Sequence, residues 1–278
     1  MNTINIQGQL LSLKHPIVMG ILNLTPDSFY EQSRVADKNF LLKRAESMLA
    51  DGAEILDLGA YSTRPGAEAI SEEEELNRML PAVEALKKEF PSVILSIDTF
   101  RASVAKATVD LGAGIVNDVS GGTLDEKMFS TVAELKVPYV LMHMKGTPQT
   151  MSNYTDYENL KLDILNYFIA KITELRALGV HDILIDLGFG FAKTREQNFE
   201  LLNAMQSFQI LDCPMLVGIS RKSMITKTLN IEAKDALNGT TALNMAALMN
   251  GAKILRVHDV REARECVQLF KALKNSQD

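Results

Sequence analysis

Eight short apolar runs, each ending in a polar residue and separated by segments long enough for a helix, predict a (β/α)8 TIM barrel with its active site at the carboxyl ends of the strands. The runs are rich in β-branched and aliphatic residues without polar alternation, as expected of parallel strands buried on both faces. A polar residue at the end of each run does not suit an apolar core. Barrel geometry gathers all of these residues at one mouth.

The elements follow in order. Ile4, Ile6, Leu10, Leu11 and Leu13 alternate weakly around Gly8, the pattern of a short N-terminal β-hairpin that caps the bottom of the barrel. The barrel runs are Ile17-Val-Met-Gly-Ile-Leu22 ending at Asn23, Glu54-Ile-Leu56 at Asp57, Val93-Ile-Leu-Ser-Ile97 at Asp98, and Gly114-Ile-Val116 at Asn117. Tyr139-Val-Leu-Met142 then ends at His143, Asp182-Ile-Leu-Ile185 at Asp186, Met215-Leu-Val217 at Gly218-Ile-Ser220, and Ile254-Leu-Arg-Val257 at His258. Helical segments are expected over 38–50, 71–90, 101–111, 125–135, 156–178, 194–205, 239–249 and 260–273. Ser71-Glu-Glu-Glu is a capping-box pattern with acidic residues where the helix dipole favours them, so the run from Glu72 to Glu75 reads as a solvated helix start rather than a metal site. The connections 23–37 and 60–70 are long for a compact domain, which marks them as functional loops at the mouth.

Composition narrows the function. A chain of 278 residues that is 46% hydrophobic suits one barrel domain spanning 1–278. Lys+Arg 29 against Asp+Glu 35 gives a net charge of -6, which offers no basic field to nucleic acid. Cys213 and Cys266 lie far apart and suggest neither a zinc site nor a disulfide. No apolar run approaches the roughly 18 residues needed to span a bilayer, and the first residues show no basic segment followed by an apolar one. A cytoplasmic enzyme acting on small molecules, with no membrane or nucleic-acid partner, is expected.

The polar residues at the mouth divide by charge. Asn23-Leu-Thr-Pro-Asp-Ser-Phe29 and Ser62-Thr-Arg-Pro-Gly66 combine hydroxyls, an amide and a guanidinium with a stiffening Pro, a set that suits phosphate oxygens. Arg256 and His258 stand two residues apart, on one side of an extended chain, and can clamp an anion there. A salt bridge is the plainer reading of Arg256, and a satisfied core histidine that of His258. Asp57, Asp98, Asp186 and Asn117 form the acceptor side; buried carboxylates need partners, and a planar heterocycle rich in N–H groups would satisfy several at once. Asp57, lying before Leu58-Gly59, reads equally as structural. In Gly218-Ile-Ser-Arg-Lys-Ser223, Lys222 can reach the mouth and Ser223 can offer a hydroxyl at a short helix start, while Arg221 faces solvent or a neighbouring acid. Phe189-Gly-Phe191 puts an aromatic after Asp186, and His143 reads as a support behind the site.

Five motifs in order carry a resemblance: Asn23-Leu-Thr-Pro-Asp-Ser-Phe29, Ser62-Thr-Arg-Pro-Gly66, Asp186-x-Gly-Phe-Gly-Phe191, Ser220-Arg-Lys-Ser223 and Arg256-Val-His258. Together they resemble the dihydropteroate synthases from about Ile17 to the C-terminus. The resemblance implies condensation of 6-hydroxymethyl-7,8-dihydropterin diphosphate with p-aminobenzoate to give 7,8-dihydropteroate and pyrophosphate, with Mg2+ accompanying the diphosphate. It places Asp98, Asn117, Met142, Asp186 and Lys222 in the pterin pocket, and Asn23, Arg256 and His258 at the diphosphate and metal end. Thr63, Arg64 and Pro65 match a mobile loop that closes with Phe29, and Phe191 and Ser223 match the aminobenzoate side. Catalytic roles would fall to Asp98, Lys222, Arg256 and His258, a dissociative reaction with the arylamine arriving second is implied, and a homodimer is common in the family. The chain departs from the family pattern at Tyr30-Glu-Gln-Ser-Arg34, Gly59-Ala60-Tyr61, Leu187 and Ala192. A pterin-dependent methyltransferase of related fold would share the acceptor residues but need no anion clamp. A Schiff-base aldolase using Lys222 and a pterin-binding paralogue without activity are the other readings.

Overall fold

The computed structural model describes residues 3–24, 34–62 and 69–275. Strands β1 (Thr3–Ile6) and β2 (Gln9–Ser12) pair antiparallel, with Thr3 opposite Ser12 and Ile6 opposite Gln9. Gln7 and Gly8 both adopt positive φ, 50° and 88°, the conformation that a two-residue hairpin turn requires. Ile4, Ile6 and Leu13 pack with Ile17, Met19, Ile55, Ile115, Val140, Leu184, Leu216 and Ile254 in one buried cluster. The expected hairpin therefore closes the bottom of the barrel.

The barrel strands are β3 (Ile17–Asn23), β4 (Ile55–Gly59), β5 (Ile94–Asp98), β6 (Ile115–Asp118), β7 (Tyr139–Met142), β8 (Ile183–Asp186), β9 (Met215–Val217) and β10 (Ala252–Val257). They are parallel neighbours in chain order, and β10 returns to β3 to close the ring. The helices between them are α1 (Arg34–Ala50), α2 (Glu72–Glu89), α3 (Ala102–Asp110), α4 (Met128–Leu135), α5 (Leu160–Ala177), α6 (Arg195–Ala204), α7 (Ser223–Leu229), α8 (Leu237–Met249) and α9 (Val260–Asn275). A larger apolar cluster lies between barrel and helices, and includes Leu56, Leu58, Leu95, Ile97, Leu141 and Ile185. Alternate residues of each strand thus serve two separate cores.

Ser71 accepts from the N–H of Glu74 at 3.1 Å as the cap of α2, but the acidic run is not wholly solvated. Glu75 is fully buried, pairs with Arg101 and accepts from the hydroxyl of Thr99 at 2.7 Å. The fourth residue of the run faces the barrel, where a cation from the start of the next helix neutralises it. Among the described residues no helix is long and apolar enough to cross a membrane.

Candidate active site

Strand alternation decides which side chains reach the mouth. Ile55, Ile115, Val140, Leu184 and Ile254 belong to the bottom cluster. Two residues further along the same strands, Asp57, Asn117, Met142, Asp186 and Arg256 project into the barrel one layer higher. Asp98 ends β5 in register with Asn117, and Asn23 ends β3 in register with Gly59.

Asp57 is fully buried, and its carboxylate accepts from Arg256 Nε at 2.6 Å and from Asn117 Nδ2 at 3.1 Å. Arg256 Nη2 donates to Asp98 Oδ2 at 2.6 Å. The guanidinium therefore has the salt bridge weighed for it, shared between two carboxylates. Burial opposes its charge, yet Asp57 and Asp98 hold its pKa above the ordinary guanidinium value. Asp98 titrates at about 7, raised by burial against the pull of Arg256, with Asp57, Glu75 and Asp118 adding to the rise.

A second network surrounds the segment after β8. Asp186 Oδ1 accepts from the N–H of Gly188 at 2.8 Å, and burial raises its pKa against the attraction of Lys222. Lys222 donates to the carbonyl of Phe189, and its Nζ lies 4.7 Å from the ring centre of Phe191. Burial lowers the Lys222 pKa to about 8, with Asp186 opposing. Gly190 has φ 80°, and a Cβ there would stand 3.1 Å from Lys222 Cδ, so a side chain at this position would be strained in the turn and would crowd the lysine stem. Met142 packs with Val119, Met144, Met151 and Ala192, and Phe191 lies against this cluster. Gly218 joins the two networks: a Cβ there would lie 3.8 Å from Arg256 Cδ and 3.9 Å from Asp186 Oδ2.

His258 Nδ1 lies 3.0 Å from Ser220 Oγ, which also accepts from the His258 N–H at 3.2 Å. Arg221 faces a neighbouring acid, with bonds of 2.8 and 2.7 Å to Asp259, and so anchors the turn that carries Lys222. Ser223 is exposed at the start of α7, and Asn23 is exposed at the end of β3. Thr63, Arg64 and Pro65, together with Phe29, lie outside the described residues.

Two buried groups escaped the sequence reading. Lys193 Nζ lies 3.0 Å from the carbonyls of Gly188 and Phe191 and 3.1 Å from His143 Nδ1. Asp118 accepts from the Tyr139 hydroxyl and the Ser120 N–H at 2.7 Å each, on the helix side of the barrel wall. A lysine just before the helix-capping Thr194 looks solvated in sequence; the only signal was its place two residues after the Gly-Phe-Gly-Phe segment. A surface cleft of about 290 Å³ bounded by Lys14, Lys253, Phe270 and Lys271 contains none of the mouth residues.

A family model described as pterin binding enzyme matches residues 19–258. The chain is 43% identical over 263 residues to the dihydropteroate synthase of Synechocystis sp., covering 94% of this chain and 91% of that protein. It is similar to the crystal structure of the Yersinia pestis dihydropteroate synthase with a sulfonamide drug complex, with a TM-score of 0.91, 39% identity, and coverage of 98% of this chain and 99% of that one. The Thermus thermophilus dihydropteroate synthase in complex with 4-aminobenzoate is 36% identical with a TM-score of 0.87, over 98% of this chain and 99% of that one.

Proposed function

The chain belongs to the pterin-binding enzyme family, and from that premise we propose how its barrel mouth carries out the dihydropteroate synthesis for which its near full-length relatives are named. The reaction joins 6-hydroxymethyl-7,8-dihydropterin diphosphate to p-aminobenzoate, with loss of pyrophosphate, in folate biosynthesis. The observation that supports this assignment of roles is the Asp57–Arg256–Asp98 bridge set beside Asp186, Asn117 and Lys222 in one mouth. That full-length likeness favours this reading over the pterin-dependent methyltransferase and the Lys222 aldolase.

Asp98, Asn117 and Asp186 take the N–H edge of the pterin, with Met142 beneath it and Lys222 at its side. A pterin N–H arriving at Asp98 competes with Arg256 for the same carboxylate. Asp57 keeps the guanidinium in place, and the N–H released from Asp98 turns to the diphosphate with His258. Breaking the methylene C–O bond leaves positive charge on the pterin methylene and negative charge on pyrophosphate. Asp98 offsets the first, and Arg256 and His258 the second. The arylamine nitrogen, placed by Phe191, Ser223 and the loop with Thr63, Arg64 and Pro65, then bonds to the methylene and gives up a proton to the departing pyrophosphate.

Magnesium fits as a companion of the diphosphate. Among the described residues no group of three or more His, Cys, Asp or Glu is gathered for a resident metal ion. Asn23 offers a single amide oxygen, a sparse set of the kind Mg2+ accepts when phosphate oxygens and water complete its shell. When bound, the ion would neutralise charge on the diphosphate. Exposed Met249 and Leu269, on the last two helices, suit pairing with a second copy as a homodimer, which sedimentation would test. A cytoplasmic site of action accords with the substrates. The deciding assay is pyrophosphate release from the pterin diphosphate with and without p-aminobenzoate and Mg2+; no release with all three present would overturn the assignment.

A further inference from the structure

Lys193 is buried behind the mouth. Its ammonium has three N–H groups, and three acceptors surround Nζ: the carbonyls of Gly188 and Phe191 at 3.0 Å and His143 Nδ1 at 3.1 Å. With the lysine as an ammonium, three donors match three acceptors and hold it in one place, the His143 Nδ1 accepting. The His143 ring is 2% exposed and is enclosed by Tyr157, Tyr167 and Phe168, with centroids 6.1, 4.9 and 6.4 Å away. That aromatic enclosure separates it from water, which argues against a proton relay to solvent.

The turn at 188–191 is held from both sides. The N–H of Phe191 closes it onto the Gly188 carbonyl at 3.1 Å, and Lys193 grips that same carbonyl and the one of Phe191. From the mouth side Lys222 donates to the carbonyl of Phe189 between them. Gly188 has φ 69°, and a Cβ there would stand 2.0 Å from the His143 carbonyl oxygen and 3.3 Å from Lys193 Nζ, so the turn lies directly against this pair. The His143 N–H donates to the Asp186 carbonyl at 2.9 Å, which ties β7, β8 and the turn into one unit.

We propose that Lys193 is a positioning residue for the reaction: locked against His143, it fixes the 188–191 turn from behind and thereby sets where Lys222 and Phe191 stand in the mouth. The proposal rests on the synthase reading for its kinetic consequence but not for its structural one. Burial lowers the Lys193 pKa to about 7, with Asp186 opposing and Lys222 and Lys145 adding, so the group sits in the same electrostatic field as the substrate residues.

The test compares wild type with Lys193→Met, which keeps the stem and removes the three donors. Amide hydrogen exchange over 187–192 should quicken about tenfold or more, while the helices far from the turn exchange as before. Catalytic efficiency toward p-aminobenzoate should fall about tenfold to hundredfold, the loss expected when hydrogen bonds from a buried charge are removed, with pyrophosphate affinity unchanged. Wild-type kinetics in the variant would overturn the proposal, whether or not the turn loosened. An equal loss of pyrophosphate affinity would also overturn it, because Arg256 and His258 are held by Asp57, Asp98 and Ser220 rather than by the 188–191 turn. Lys193→Gln, which keeps a donor, carries the same test should the methionine variant not fold. If wild type itself released no pyrophosphate, the synthase reading would fail, and unchanged exchange in the variant would then independently refute the positioning role.

Discussion

Arg256 Nε donates to Asp57 Oδ2 at 2.6 Å, a bond that reaches from the last barrel strand past its neighbour β3 to β4. The other side of the guanidinium meets Asp98, whose side chain keeps 22% of its surface exposed while that of Asp57 keeps 0%. The two carboxylates are therefore unequal partners. Asp57 is sealed in and can serve only as an anchor, whereas Asp98 can exchange Arg256 for a ligand.

Asp57→Asn should cost about 3 kcal/mol of stability, because it leaves a buried cation with one of two compensating charges. Asn117 would also lose the charged acceptor of its amide. Urea unfolding of the variant measures the loss. Stability equal to wild type would mean that Asp98 alone suffices and that Asp57 is not the anchor.

Asp98→Asn, Asp186→Asn and Lys222→Ala should each slow turnover by about 30-fold to 1000-fold, the equivalent of a charge-assisted hydrogen bond to the reacting molecule. All three groups face the mouth rather than either apolar core, so the circular dichroism spectrum should not change. Near wild-type kinetics in any two of them would remove the pterin pocket from this place.

The barrel was legible in sequence because buried parallel strands need runs such as Val140, Leu141 and Met142 that no exposed segment would carry. The mouth was legible because side chains at spacing two share a face, which ties Asp57 to Ile55 and Arg256 to Ile254. Burial of charge was not. Glu75 and Lys193 sit in segments that look solvated, and each is buried only because a partner from elsewhere in the chain, Arg101 or His143, closes over it. Local pattern records which residues are charged; whether water reaches them depends on contacts tens of residues away. The choice between clamp and salt bridge for Arg256 was hidden for the same reason, since its partners lie on β4 and β5.

His258→Ala should weaken pyrophosphate binding far more than binding of a pterin without phosphates. The ring lies beside Ser220, just past the end of β10. Arg256→Ala should weaken both ligands, because it also leaves Asp57 and Asp98 without their shared cation. Calorimetry with the two ligands separates the cases; an equal loss of both in His258→Ala would make that residue structural.

p-Aminobenzoate should bind poorly to the free enzyme and well once pyrophosphate and Mg2+ are present. The sequences around Phe29 and around Thr63, Arg64 and Pro65 carry few apolar side chains with which to pack over the mouth unaided, so the anion has to supply the missing contact. Titrating the arylamine with and without the anion measures the coupling. Equal affinity in both would mean a preformed arylamine pocket.

Activity should also depend on pH through Asp98, whose pKa is raised from 3.8 to about 7, chiefly by burial, with Arg256 as the opposing influence. Below that value the free enzyme carries a neutral carboxyl at the position where the developing methylene cation requires a charge; above it the carboxylate is present. Because kcat/KM reports ionisations of the free enzyme, its acid limb should rise with pH through about 7. The sign follows from the group being an acid that acts ionised: protons lost on going up in pH are protons removed from the inactive form. Lys222, lowered to about 8 by burial, would produce the opposite limb if its cation is needed, giving a bell whose acid side belongs to Asp98 and whose alkaline side belongs to Lys222. Asp98→Asn should remove the acid limb and leave the alkaline one, and Lys222→Ala should do the reverse. A profile that keeps its acid limb in Asp98→Asn would assign that titration to another group and strip Asp98 of the electrostatic role.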